Sequence, residues 1–251
     1  MFEINRANEH IYHIRDKMGV CVTLLVGRER ALLFDTGYGL FNLPACIRQM
    51  TDLPLQVILS HGHHDHALGY SQFETVYLHE KERPCFDYYT RGEQKQRVLA
   101  AALNKGLAPE ENLPAFETEI LSIKESAINL GGITAQVHHL PGHTPGSLGI
   151  IAGDMLLIAD NWNPTTWVFF PECAKMADYQ RMMEGLSKLP FKNVLASHCF
   201  EAVSAKRVHA YIEGLKKWGG EPVNIAPYES INTYACHPEI ETTLVYDRNK
   251  L

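Results

Sequence analysis

No apolar stretch in this chain approaches the ~18 residues that a membrane-crossing helix requires, so a membrane-embedded protein is not expected. Ser/Gly-rich tracts, blocks of like charge and internal repeats are absent as well, which leaves no sign of a linker or a low-complexity tail. The six cysteines, Cys21, Cys46, Cys85, Cys173, Cys199 and Cys236, include no CxxC pair and are scattered through ordinary apolar or loop surroundings. That is the pattern of reduced thiols rather than of a disulfide framework. Residues 1–10 include Glu3, Arg6 and Glu9, unlike a secretory signal, so the cytoplasm is the expected compartment. A formal net charge of −6 offers no general attraction to a phosphate backbone, and nucleic acid is not an expected partner.

What is present is enough apolar material for a large core. With 251 residues and 45% apolar content, the expectation is one domain spanning 1–251. Short apolar runs predict strands over 11–14, 21–26, 31–34, 56–59, 75–78, 119–123, 133–138, 148–151, 155–159, 193–197, 231–234 and 242–246. Helices are predicted over 43–50, 177–188 and 204–218. A polar, helical block at about 79–116 interrupts the strands, and Leu99-Ala100-Ala101-Ala102-Leu103 is its clearest helical stretch. Periodicity thus predicts a mixed α/β protein.

The densest chemistry lies in Ser60-His61-Gly62-His63-His64-Asp65-His66, directly after the apolar run 56–59. His61, His63, Asp65 and His66 offer nitrogen and oxygen donors of the kind that suit Zn²⁺, with Mn²⁺ or Fe²⁺ as further fits. Gly62 is expected to let the backbone fold sharply so that the imidazoles converge. Three later segments complete the donor set. His143 sits in the rigid turn Pro141-Gly142-His143-Thr144-Pro145-Gly146, Asp160 ends the apolar run 155–159, and His198 follows the run 193–197. A lone histidine at a strand end is usually an ordinary hydrogen-bonded residue; it is the recurrence of ligand types at strand ends that turns the reading toward a metal site.

Together, His61, His63, Asp65, His66, His143, Asp160 and His198 resemble the HxHxDH…H…D…H motif of the metallo-β-lactamase superfamily, with no position missing. Leu32-Leu33-Phe34-Asp35-Thr36-Gly37 is similar to the early strand-turn motif of that family, in which Asp35 would orient a ligand histidine. The resemblance implies a four-layer αββα sandwich. It also implies two metal ions, one held by His61, His63 and His143 and one by Asp65, His66 and His198, bridged by Asp160 and a hydroxide. Asp65 would further orient the attacking hydroxide, and the implied activity is hydrolysis of a small ester, thioester, lactone or amide. A small-molecule phosphodiesterase and a mononuclear-iron dioxygenase acting on a thiol-derived substrate are the alternatives within the same fold.

Substrate choice is less legible. Residues 161–171 are dense in aromatics and begin at a ligand, so Trp162, Trp167 and Phe169, with Phe170, are expected to wall a pocket for a small-molecule acyl or aromatic group, against ordinary loop packing as the alternative. Phe86, Tyr88 and Tyr89 of the helical block are candidates for a lid. That block would otherwise serve as a dimer surface, which leaves a homo-oligomer as an open expectation. His64 falls at a variable position of the motif, where solvent or structural contact is expected. Phe200 and Asn163 stand where glutathione-thioester hydrolases and quorum-signal lactonases of the superfamily, respectively, have tyrosines.

Overall fold

The computed structural model describes residues 2–217, 219–237 and 241–251. Seven strands pair in chain order into one sheet: β1 (Glu3–Arg6), β2 (Ile11–Arg15), β3 (Cys21–Val26), β4 (Ala31–Phe34), β5 (Leu55–Ile58), β6 (Thr75–Leu78) and β7 (Glu119–Ser122). Pairing is antiparallel up to β4 and parallel from β4 onward. The β4–β5 crossover contains α1 (Leu43–Arg48), which Asn42 caps by accepting a bond from Ala45 N and which has Pro44 in its first turn. A second sheet contains β8 (Ser126–Asn129), β9 (Thr134–His139), β10 (Leu148–Ala152), β11 (Met155–Ala159), β13 (Asn193–Ala196) and β14 (Cys199–Ser204), with β11 parallel to β13. Between β11 and β13 the chain leaves that sheet as β12 (Thr165–Val168). This strand pairs with β17 (Thr242–Asp247) in a third sheet ordered β12-β17-β16-β15, where β15 is Glu221–Pro222 and β16 is Ile231–His237.

Side-chain alternation along the strands sets the layers. Leu32, Phe34 and Ile58 meet Val137, Ile150 and Leu157 between the first two sheets. The intervening residues Leu33 and Val57 point the other way, onto Leu43 and Ile47 of α1. On the far side, Leu156, Ile158 and Val194 pack on Tyr179 and Met183 of α5 (Met176–Leu186) and on Val208 and Tyr211 of α6 (Ala205–Gly214). Helix, sheet, sheet and helix follow in that order, the expected αββα sandwich. Among the described residues no helix is long and apolar enough to cross a membrane.

Several predicted boundaries differ, and one short helix was not foreseen. The block expected at about 79–116 is a 3-10 turn at Glu80–Glu82 followed by α3 (Arg83–Thr90) and α4 (Gly92–Asn104), separated by extended Arg91 and by Gly92 at φ +55°; residues 105–118 are irregular. A short helix, α2 (His64–Ala67), forms inside the histidine-rich loop. The last predicted helix ends at Gly214 instead of continuing, and Trp218 lies outside the described residues.

The parallel pairs β4–β5 and β11–β13 bring the C-terminal ends of four strands to one edge of the sandwich. Two backbone bonds join the sheets there, Leu148 N to Ser60 O and Cys21 N to Ser197 O, both 2.8 Å. Asp35 (φ +72°) and Ala159 (φ +50°) turn the chain sharply at the ends of β4 and β11, an unfavourable backbone region for residues other than glycine.

Candidate metal centre

The donor atoms of the seven residues gather into two clusters. His61, His63 and His143 form one and Asp65, His66, Asp160 and His198 the other, with the donor atoms in each lying within 4.8 Å of one another. Gly62 is required in the loop for a reason other than a sharp turn: a Cβ there would sit 2.3 Å from the backbone nitrogen of Phe86, so α3 can pack over the loop only because residue 62 has no side chain.

Hydrogen bonds decide which nitrogen each imidazole turns inward. The side chain of Asp35 accepts from His66 Nδ1 at 2.8 Å and from Ser60 N and Ser60 Oγ at 2.6 and 2.8 Å. Since the Ser60 hydroxyl proton goes to Asp35, Ser60 Oγ accepts from His61 Nδ1, 2.9 Å away. Asp35 therefore orients His66 directly and His61 through Ser60. His143 Nδ1 donates to Trp167 O at 2.8 Å, and His63 Nε2 donates to Glu172 Oε1 at 2.7 Å. The remaining nitrogens of His61, His63 and His143 then bear lone pairs, and His66 Nε2 lies 3.4 Å from Asp160 Oδ1. His61 Nε2 and His66 Nε2 are buried without a hydrogen-bond partner, while His63 Nδ1 and His143 Nε2 face each other across 3.0 Å. Converging buried lone pairs are satisfied by a cation, so the donor set fits a metal ion.

Charge in the clusters points the same way. Burial drives His61 well below its ordinary pKa and His143 down to about 4, with neighbouring histidines adding to the effect, so these two rings are neutral imidazoles. In the second, burial opposes ionisation of Asp65 and Asp160, yet His66 and His198 hold both carboxyls far below the usual range. Reciprocally, burial disfavours the charged histidines, but Asp160 and Asp65 raise His66 strongly and His198 to about 10. Two largely buried carboxylates demand positive charge, which protons supply in the bare protein and a cation would supply in their place.

A cavity of about 410 Å³ opens onto both clusters. Its wall includes Tyr38, His64, Tyr89, Asn163, Trp167 and Phe170. Of the expected wall residues, Trp167 and Phe170 are there, whereas Trp162 and Phe169 are not. Trp162 is fully buried in the core beneath α5 and α6, and Phe169 packs on Ile231 and Val245 of the third sheet. Alternation along β12 turns Thr165 and Trp167 to the cavity and Thr166 and Val168 inward, but Trp162 precedes that strand and Phe169 follows it, and each is taken up by apolar neighbours in the core instead. From the helical block Tyr89 faces the cavity, Phe86 is fully buried and Tyr88 is exposed. His64 also reaches the wall, its ring 5.7 Å from that of Tyr38. Phe200 stacks under Arg15.

Several supporting residues escape a sequence reading. Glu82, fully buried, accepts from Gly62 N at 3.0 Å and from Thr144 Oγ1 and Gly146 N at 2.8 Å, clamping the two histidine loops together. Asn161 Oδ1 accepts from His143 N. Asn163 donates to Asp160 Oδ1 at 3.1 Å and accepts from His198 N at 3.0 Å. Lys250 Nζ donates to the carbonyls of Phe170, Pro171 and Cys173. A polar residue next to a ligand, as Asn161 and Asn163 are to Asp160, is a usable signal; Glu82, Glu172 and Lys250 leave none.

Residues 16–179 match the family model described as the metallo-beta-lactamase superfamily. The chain is 25% identical over 241 residues to an acyl-coenzyme A thioesterase, MBLAC2, of Gallus gallus, covering 86% of each chain. It is 31% identical over 137 residues to the hydroxyacylglutathione hydrolase GloC of Haemophilus influenzae, covering 52% of this chain and 59% of that one. Among solved structures, a metallo-beta-lactamase from Pontibacter korlensis superposes with a TM-score of 0.59 at 14% identity, covering 87% of this chain and all (100%) of the other, which is a likeness of fold.

Proposed function

The chain belongs to the metallo-beta-lactamase superfamily and is a metal-dependent hydrolase, and from that premise we propose that it cleaves small acyl thioesters or esters with two zinc ions bound. The observation that carries this reading is the cavity: its wall of Tyr38, Tyr89, Trp167 and Phe170 includes no lysine or arginine among the described residues and leads directly to both donor clusters. Such a wall suits an uncharged acyl group and offers a phosphodiester no cationic side chain beyond the metal site itself. The similarity to an acyl-coenzyme A thioesterase and a hydroxyacylglutathione hydrolase supports the thioester bond in particular.

His61, His63 and His143 would hold one zinc and Asp65, His66 and His198 the other, with Asp160 between them. Bound zinc supplies Lewis-acid polarisation of a carbonyl and lowers the pKa of water. The chain does the rest. Aromatic side chains exclude water from the acyl group and hold its carbonyl at the cluster end of the cavity. Asp65 and Asp160, kept ionised by their surroundings, accept a hydrogen bond from the attacking water and orient it. Asn163 fixes Asp160 and His198 relative to one another.

The test is to purify the protein without added metal, determine its metals by elemental analysis, and assay the same sample against acyl-coenzyme A and acylglutathione thioesters, lactones, β-lactams and phosphodiesters. Zinc with thioester or ester cleavage is expected. Turnover of phosphodiesters alone would overturn the substrate reading; iron with oxygen uptake and no hydrolysis would move the protein to the dioxygenase class.

A further inference from the structure

Glu172 sits where the histidine cluster meets the helical block. One oxygen, Oε1, lies 2.7 Å from His63 Nε2 and 2.7 Å from Tyr89 Oη, and the side chain is only 16% exposed. A carboxylate oxygen has two lone pairs and no proton, so both neighbours donate to it. Two consequences follow from that polarity. His63 has its proton on Nε2 and presents a bare Nδ1 to the cluster, and the Tyr89 hydroxyl proton is committed to Glu172. The Tyr89 ring is thereby held edge-on to His63, with centroids 4.5 Å apart, as part of the cavity wall. Glu172 in turn rides on the loop whose carbonyls accept Lys250 Nζ, so the C-terminal turn after β17 anchors it from behind.

We propose that Glu172 is a positioning residue that sets the tautomer and direction of His63 for metal binding and, through the same oxygen, places Tyr89 against the substrate. The arrangement joins residues 109 positions apart, His63 and Glu172, and makes α3 part of the metal centre's support. It is the carboxylate–histidine–metal geometry in which loss of the carboxylate costs about 10- to 100-fold in metal affinity.

The inference rests on the metal-site part of the proposed function, not on the identity of the bond cleaved. Its test uses Glu172→Ala, Glu172→Gln and Tyr89→Phe in the full chain. Imidazole ¹⁵N spectra of metal-free protein should show His63 as the Nε2–H tautomer in the wild type and a mixture in Glu172→Ala. Competition with a chromophoric chelator should show the tighter-dependent zinc of Glu172→Ala weakened about 10- to 100-fold, while Tyr89→Phe retains wild-type zinc affinity and raises KM with little change in kcat. Should Glu172→Ala fail to fold, Glu172→Gln answers through the same two readouts with a smaller loss, because its amide oxygen still accepts hydrogen bonds but carries no charge. A folded Glu172 variant with an unchanged His63 tautomer and unchanged zinc affinity overturns the inference. Failure of the wild-type protein to bind zinc would instead overturn the metal-site reading beneath it.

Discussion

At the scale of single residues, the inward-facing nitrogens of His61, His63, His66 and His143 are each paired with an acceptor on the opposite side of the ring, and those acceptors are where substitutions should be most informative. Asp35 serves two rings, His66 directly and His61 through Ser60. Asp35→Asn places a neutral amide there and removes an acceptor, so zinc affinity should fall by about 10- to 100-fold, read by chelator competition. Wild-type affinity in that variant would show that Asp35 only shapes the turn. Asp160 contacts His66 and His198 at 3.4 Å and His143 at 3.6 Å, which puts it between the clusters. Asp160→Ala is expected to lose zinc from the Asp65–His66–His198 side and most turnover; elemental analysis showing undiminished zinc together with near-normal rates would remove Asp160 from its assigned place.

Elements explain why some of the fold was legible and some was not. The strands predicted from apolar runs are those with a neighbour on both sides or a face in the core. The four strands not foreseen before β15, namely β1, β8, β12 and β14, all lie at sheet edges. Three of them, β1, β8 and β14, are largely exposed, so neither face demanded the alternation that reveals a strand. β12 alternates inward and outward, but with two threonines it offers little apolar contrast. The break between α3 and α4 falls at Gly92, a residue of low helix propensity that takes φ +55° there. Packing of α3 over the ligand loop yields a prediction at this scale: Gly62→Ala forces a Cβ into the backbone of Phe86 and should destabilise the fold by about 1–3 kcal/mol, seen as a lower melting temperature. Melting at the wild-type temperature would mean that α3 moves aside at no cost.

Across the whole molecule, His13 links the two large sheets. It bonds Thr23 Oγ1 on β3 at 2.8 Å and the Cys199 carbonyl on β14 at 3.2 Å, and burial lowers its pKa from 6.5 to about 4. A histidine kept neutral by the fold stabilises it fully above pH 6.5 and progressively less as pH falls toward 4, a loss of about 3 kcal/mol at 1.4 kcal/mol per unit. Urea unfolding at pH 7 and pH 4.5 should show this loss in the wild type and a smaller one in His13→Gln; equal slopes would assign the acid sensitivity elsewhere. The seven candidate donors and the core strands could be read from the chain alone, because the donors cluster in short motifs and the strands in local apolar runs, whereas the αββα layering is implied by the family resemblance and not by periodicity. Folding alone chose the acceptors that aim the rings, Glu82 and Glu172 among them, and turned Trp167 to the cavity while burying Trp162. Those outcomes depend on contacts between segments far apart in the chain, for which no local pattern exists.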